Sequence, residues 1–215
     1  MTPAALTETR ERLIDTAETL FGLRGIEGVS LREITRQAEA NVASVNYHFG
    51  SREGLIEAVF ERRMRPLNEE RLRLLSLAEE AAGSGAPTLE SILRAFVAPT
   101  VRVFRDFPEF MNFAGRLEQK PEEFVRYFRT RGKFPELILR VRGALVKALP
   151  DVPVSDLWWG VLFLLGAMIH TWSKGREMER ISGGEAKYES DAEMVDRLVS
   201  FATAGIRAMA RGGKS

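Results

Sequence analysis

The sequence predicts an all-α fold: a three-helix head at the N-terminus and a larger helical-bundle body, about nine helices together. Three observations carry this. Apolar residues recur at spacings of three and four along nearly the whole chain, and no stretch shows the period-two alternation of a strand. Proline and glycine cut that pattern into helix-length pieces. Three capping residues, Ser30, Asn41 and Ser51, crowd into the N-terminal quarter, as short, closely spaced helices require. The expected division is a head over 1–54 and a body over 55–215.

Leu13, Ala17, Leu20 and Phe21 line one face of a first helix that ends near Gly25. The run Ser30-Leu31-Arg32-Glu33 is a capping box opening a short second helix, with Leu31, Ile34 and Ala38 turned inward. Asn41 caps a third helix over Val42–Phe49, Gly50 closes it, and Ser51 caps a long fourth. That fourth helix carries Leu55, Val59 and the leucines at 72, 74, 75 and 77; Pro66 within it predicts a kink or an interruption. The loop 81–88 follows, then helical stretches over 88–106, 109–119, 121–149, 155–180 and 190–210. Pro108, Pro121, Pro150, Pro153 and Ser182-Gly183-Gly184 separate them, and Pro99 and Pro135 predict kinks.

Composition excludes several kinds of chemistry. With no cysteine, disulfides, thiolate nucleophiles and cysteine-bound metals are ruled out, and the two histidines, His48 and His170, are far apart. No paired carboxylates with an adjacent base, phosphate loop or metal-ligand spacing stands out, so neither an enzyme nor a cofactor or metal is expected. The longest apolar run, Leu157 to Ile169, is 13 residues, short of the about 20 that a bilayer span needs. It reads as a helix buried on both sides, with no membrane partner. The polar N-terminus lacks the pattern of a signal peptide, so a cytoplasmic location is expected.

Charge does not point to nucleic acid. The chain carries +1 overall, and over 1–54 six arginines face eight acids. Position does. Helices 31–38 and 42–48 form a helix-turn-helix, whose second helix can present Val42, Ala43, Ser44, Asn46, Tyr47 and His48 outward. Small residues allow close approach, Asn46 suits base edges, and hydroxyls and a ring nitrogen suit phosphates. A helical bundle with a polar face is the alternative that these residues alone leave open.

The stretch from Arg12 through Ala58, above all ASVNYHFGSREGLIEAV (43–59), resembles the TetR family of one-component regulators. Phe21 and Gly25 match its first helix, Ser30 its entry to helix two, Tyr47-His48-Phe49 its end of helix three, and Arg52-Glu53 its start of helix four. The resemblance implies contacts to a double-stranded DNA operator. Arg32 would meet a base or phosphate; Val42, Ala43 and Asn46 would face base edges; Ser44, Tyr47, His48 and Arg52 would hold phosphates. Two positions depart from the pattern. Glu39 stands in the turn where the family has glycine, and Asn46 where an aromatic is commoner.

The same resemblance implies a homodimeric body that binds a small hydrophobic effector. Aromatic and methionine residues concentrate between 96 and 172, and Phe104, Phe107, Met111, Phe113, Phe128, Trp159, Phe163 and His170 are the expected ligand set. Ordinary core is the alternative. Arg102, Arg116, Arg126, Arg129, Glu109 and Glu118 are further candidates for a ligand's polar end. The last two long helices are expected to pair across a dimer through Trp158, Gly166, Met194, Leu198, Phe201 and Gly205. Leu-Trp-Trp and Leu-Leu-Gly-Ala-Met late in the body are similar to TetR-type regulators of fatty-acid metabolism, which implies a fatty acid or acyl thioester. A repressor released by its effector is the expected function. An activator differs only in promoter geometry, and a helical-bundle carrier is the rival from another class.

Overall fold

A computed structural model describes residues 3–118, 122, 133–188 and 190–212, among which there are nine α-helices and no strand. They are α1 (Pro3–Arg24), α2 (Leu31–Gln37), α3 (Val42–Phe49), α4 (Arg52–Ala82), α5 (Leu89–Asp106), α6 (Pro108–Glu118), α7 (Phe134–Ala148), α8 (Val154–Ile181) and α9 (Asp191–Gly212). The all-α expectation holds. Pro66 and Pro99 do not interrupt their helices, since α4 and α5 run on through them. Pro135 falls in the first turn of α7, just after Lys133 at φ +66°, where a missing N–H costs little. Of the predicted helix 121–149, residues 121 and 123–132 lie outside the described part.

The chain divides into two compact units, Met1–Asn68 with Arg105–Pro135 and Glu69–Phe104 with Glu136–Ser215. Both α4 and α5 pass from one unit into the other.

The first unit has a core of Leu13, Ile14, Ala17 and Phe21 from α1, Ile34 from α2, Val45 from α3, Leu55, Val59 and Phe60 from α4, and Phe110 and Phe113 from α6. Helix α6 lies on α1 without a side-chain cushion. A Cβ on Gly22 would collide with the carbonyl oxygen of Glu109, so the close approach needs glycine there. The buried carboxylate of Glu18 ties α1 to α4, accepting from Arg62 at 2.7 Å and from Arg63 at 3.0 Å. The Arg63 guanidinium in turn lies 3.6 Å from the ring centre of Phe107.

The second unit is a helical bundle with one continuous core drawn from α4, α5, α7, α8 and α9; Leu75, Phe96, Leu137, Leu157, Leu164, Met168, Leu198 and Ile206 are among its members. Gly160 of α8 faces Ile206 of α9 so closely that an added Cβ would come within 2.6 Å of its Cγ1. The strong apolar content of α8 has a plain cause. Leu157, Val161, Leu164 and Met168 are buried, whereas Trp158, Trp159, Leu162 and Phe163 face outward. Apolar residues on both faces make Val154–Trp172 long and apolar enough to cross a membrane by composition. Its burial pattern is that of a helix with one side in a core.

Candidate nucleic-acid interface

The predicted caps form at the starts of α2, α3 and α4, and Gly50 N–H closes the reader helix α3 on Asn46 O at 3.0 Å. Glu33 N–H donates to Ser30 Oγ at 3.2 Å, Ser44 N–H to Asn41 Oδ1 at 2.8 Å, and Gly54 N–H to Ser51 Oγ at 3.1 Å. The turn between α2 and α3 places Glu39 at φ +50°. Ala40 N–H donates to Thr35 O at 2.9 Å across it, closing α2 with a left-handed residue after the last turn. Arg12 supports this corner from α1, its Nε donating to Ala38 O at 3.1 Å.

Val45 is fully buried, anchoring α3 against the core. Val42, Ala43, Asn46 and Tyr47 are exposed, Tyr47 by 70%, and His48 is half-buried with its ring edge-on to Tyr47 at 4.9 Å. The face expected to meet base edges is thus bare to solvent, and Arg32 is exposed on α2. Two assignments need correction. Ser44 is half-buried, and its hydroxyl lies 3.1 Å from Asn41 Oδ1, so its single O–H serves the cap rather than reaching outward. Arg52 turns inward: its Nη2 donates to the carbonyls of Ile26 and Val29, and its guanidinium lies 5.9 Å from the ring centre of Phe21. It holds the α1–α2 loop onto the start of α4.

Electrostatics in the head is a matter of position. Arg10 pairs with Glu11, Arg12 with Glu8 and Arg24 with Glu33. Of the six head arginines, Arg24, Arg32 and Arg36 are exposed, and among the described residues Arg32 and Arg36 have no ion pair. The low net charge therefore hides a small basic edge on α2. Sequence reasoning passes over Arg36, although its i, i+4 spacing from Arg32 is visible there.

The expected ligand residues among the described part are divided between the two units. Phe113 is fully buried in the first unit, with Phe21, Phe60 and Phe110 around it at ring-centre distances of 5.7–6.1 Å, so it is core. Phe107 is half-buried under Arg63, and Met111 is half-buried in the same unit. In the second unit, Phe104 stacks on Trp172 at 5.3 Å. Trp159 and Phe163 stack on each other at 6.0 Å but are exposed, and so is His170, which removes all three from any interior. Phe128, Arg126 and Arg129 lie outside the described residues, as does the side chain of Glu118. Arg102 and Glu109 are exposed, and Arg116 donates to Leu23 O at 3.3 Å. An open groove of about 660 Å³ between the end of α4 and α7 is lined by Glu79, Glu136, Leu139, Arg140 and Lys147 and holds none of the expected set.

Of the residues expected at a dimer contact, Trp158, Gly166, Phe201 and Gly205 are exposed, and Phe201 is 67% accessible. Met194 is half-buried. Leu198 is buried in its own unit's core and is corrected accordingly, because it packs inward with Val195, Val199, Ala202 and Ile206 of the same helix.

Comparison with known proteins agrees with this architecture. Residues 13–59 match the model of bacterial regulatory proteins of the tetR family, and residues 58–205 match a tetracyclin repressor-like C-terminal domain. YttP of Bacillus subtilis (strain 168), named a probable HTH-type transcriptional regulator, is 41% identical over 49 residues, 23% of this chain and 24% of its own length. TtgW of Pseudomonas putida, an uncharacterized HTH-type transcriptional regulator, is 25% identical over 134 residues, covering 60% of this chain and 97% of its own. The crystal structure of HlyIIR, a hemolysin II transcriptional regulator, shares the fold at a TM-score of 0.59 and 20% identity, covering 92% of this chain and 98% of that one. A tetR-family regulatory protein from Rhodococcus RHA1 superposes equally well, at 0.59 and 16% identity over 92% of this chain and 96% of that one.

Proposed function

The chain belongs to the TetR family of DNA-binding transcription regulators, which are not enzymes, and on that premise we propose that it is a dimeric cytoplasmic repressor released by a small hydrophobic effector. The observation that carries the reading is α3 itself: a helix capped at both ends, anchored by Val45, with an exposed outer face. Asn46, Val42 and Ala43 read base edges, and Tyr47, His48, Arg32 and Arg36 hold the backbone.

Dimerisation is supported by the outward side of α8 and α9. Trp158, Trp159, Leu162, Phe163 and Phe201 expose apolar surface beside Gly166 and Gly205, which permit close helix approach. Large contiguous apolar patches mark interaction surfaces, and two helices from each protomer close a four-helix contact under two-fold symmetry. Two reader helices then meet successive major grooves of a pseudo-palindromic operator, about 34 Å apart.

Effector binding in the body acts on the head through α4 and α5, the two helices common to both units. A ligand shifts such an equilibrium only by its differential affinity for the two states, and a 100-fold loss of operator affinity requires about 2.7 kcal/mol. A fatty acid or acyl thioester is the effector to try first.

Gel-shift titration of the full chain against the DNA upstream of its own coding sequence, with and without long-chain fatty acid or acyl thioester, tests this. A shift released by lipid is the expected result. A shift that lipid leaves intact discards the lipid effector, and no shift at low salt with micromolar protein discards the repressor. Transcription that rises on binding the same site makes the protein an activator.

A further inference from the structure

Both helices of the reading unit are fastened to the first turn of α4. At the end of α3 the fit is steric. A Cβ added to Gly54 would collide with the carbonyl oxygen of Phe49, so the first turn of α4 lies directly on the backbone that closes α3. At the entry to α2 the link is one side chain. Arg52 reaches back from α4 and donates through Nη2 to Ile26 O and, at 2.9 Å, to Val29 O. Val29 is buried and directly precedes Ser30, whose Oγ accepts from Glu33 N–H and whose carbonyl accepts from Ile34 N–H, each at 3.2 Å. Arg52 therefore holds the peptide that leads into the cap of α2, the helix that carries Arg32 and Arg36.

The chemistry of this contact is that of a fixed joint. A guanidinium is planar, always charged and carries its donors in a rigid fork, and hydrogen bonds from a charged donor are about twice as strong as neutral ones. That of Arg52 lies 5.9 Å from the ring centre of the fully buried Phe21, so the core side of α1 sets its place as well. Among the described residues no carboxylate pairs with it. It is half-buried, where Arg32 and Arg36 are exposed. To meet a phosphate it would have to leave two carbonyls and an aromatic ring.

We propose that Arg52 is a positioning residue for operator recognition: it sets the angle of α2 and α3 against α4, and so the fit of the reader helix, without touching DNA. The inference rests on the operator-binding reading above. It gives part of the sequence preference to a residue outside the reading face and leaves the backbone contacts to Arg32, Arg36, Tyr47 and His48. The two roles open to an arginine at this place have different signatures. A phosphate ligand strengthens every duplex alike and adds about 0.9 to the log–log salt slope per contact. A positioning residue strengthens the specific complex alone, because hydrogen bonds to base edges depend on angle far more steeply than attraction to a charged backbone does.

The test compares the full wild-type chain with Arg52→Met and Arg52→Lys by fluorescence anisotropy. The probes are the duplex upstream of the coding sequence and a scrambled duplex of the same composition. Arg52→Met should lose about tenfold in affinity for the upstream duplex, the scale of one charge-assisted hydrogen bond. Its affinity for the scrambled duplex at about 0.15 M salt, where a distant charge is screened, should stay within about twofold of wild type. Its salt slope on the upstream duplex should stay within about 0.5 of wild type. Arg52→Lys keeps the charge and loses the fork, so its affinity should fall between the two. If Arg52→Met does not fold, the neutral Arg52→Gln, which keeps an amide donor, replaces it in the slope measurement.

A slope that flattens by about 1.8, one phosphate on each of two heads, with both duplexes weakened alike, would overturn the proposal and return Arg52 to the phosphates. Unchanged affinity of Arg52→Met for the upstream duplex would overturn it too. A wild-type chain that binds neither duplex would refute the repressor reading itself, and this role with it.

Discussion

Glu39 offers the sharpest separation of backbone from charge. It occupies the turn between support and reader helices at φ +50°, a region where an L-residue sits about 1 kcal/mol or more above glycine. Glu39→Gly removes that strain but widens the range of unfolded conformations, an opposing effect of about 0.4–1 kcal/mol. The expected net gain is about 0.5 kcal/mol, or a rise of roughly 1–2 °C in melting temperature for a chain of this size. Charge acts on a different observable. The side chain is exposed next to the entry of α3, and a unit charge about 8 Å from a phosphate in water repels it by roughly 0.5 kcal/mol. Two heads make that about 1 kcal/mol, close to a fivefold gain in operator affinity at low salt when Glu39 is neutralised. Glu39→Gln keeps the strain and removes the charge, so it should tighten DNA binding with no rise in melting temperature; Glu39→Gly should do both. Thermal melts and operator titrations of the two variants separate the effects. A lower melting temperature for Glu39→Gly would refute the strain argument, and unchanged operator affinity for Glu39→Gln would refute the electrostatic one.

Other perturbations follow from named contacts. Glu18→Ala strands Arg62 and Arg63 beside a vacated buried site and should destabilise the first unit by about 3 kcal/mol, seen as an earlier denaturant transition; a loss under about 1 kcal/mol, the worth of an exposed pair, would make the cluster ornamental. Gly22→Ala drives a methyl into the Glu109 carbonyl and should cost about 1–3 kcal/mol, whereas an unchanged melt would mean that α6 shifts freely on α1. Phe201→Glu combined with Phe163→Glu should give monomers in sedimentation analysis and sharply weaken operator binding; a persistent dimer would move the interface elsewhere. Tyr47→Ala should weaken binding to all sequences alike, while Asn46→Ala should relax preference at one base position; unchanged preference would remove Asn46 from direct readout.

The head is largely legible in the sequence because its determinants are local. Ser30, Asn41 and Ser51 cap within three residues of themselves, and the positive φ at Glu39 shows as the one residue out of place in an otherwise familiar turn. Arg52 escapes the pattern for the opposite reason. Its partners, Ile26 and Val29, lie more than twenty residues away and offer backbone carbonyls, which leave no trace in a sequence pattern. Phe113 reads with the body because it lies in the aromatic-rich stretch, yet α6 packs on α1, and the Gly22 that permits this looks like any small helical residue. In α8, periodicity announces an apolar helix but not which of its two apolar faces is buried, so it cannot show that Trp159 and Phe163 stand outside. The buried Arg71, which donates from α4 to Phe96 O and Thr100 Oγ1 of α5, is visible in principle as an arginine in i±4 register with Leu67 and Leu75.

The central claim is that α3 and the small basic edge of α2 bind duplex DNA as a dimer. The most direct measurement is the affinity for an upstream operator duplex, by fluorescence anisotropy, as salt is raised. Arg32 and Arg36 from each head give four phosphate contacts per dimer and predict a log–log slope of about −3.6. A slope near zero, or no binding at low salt, would contradict it.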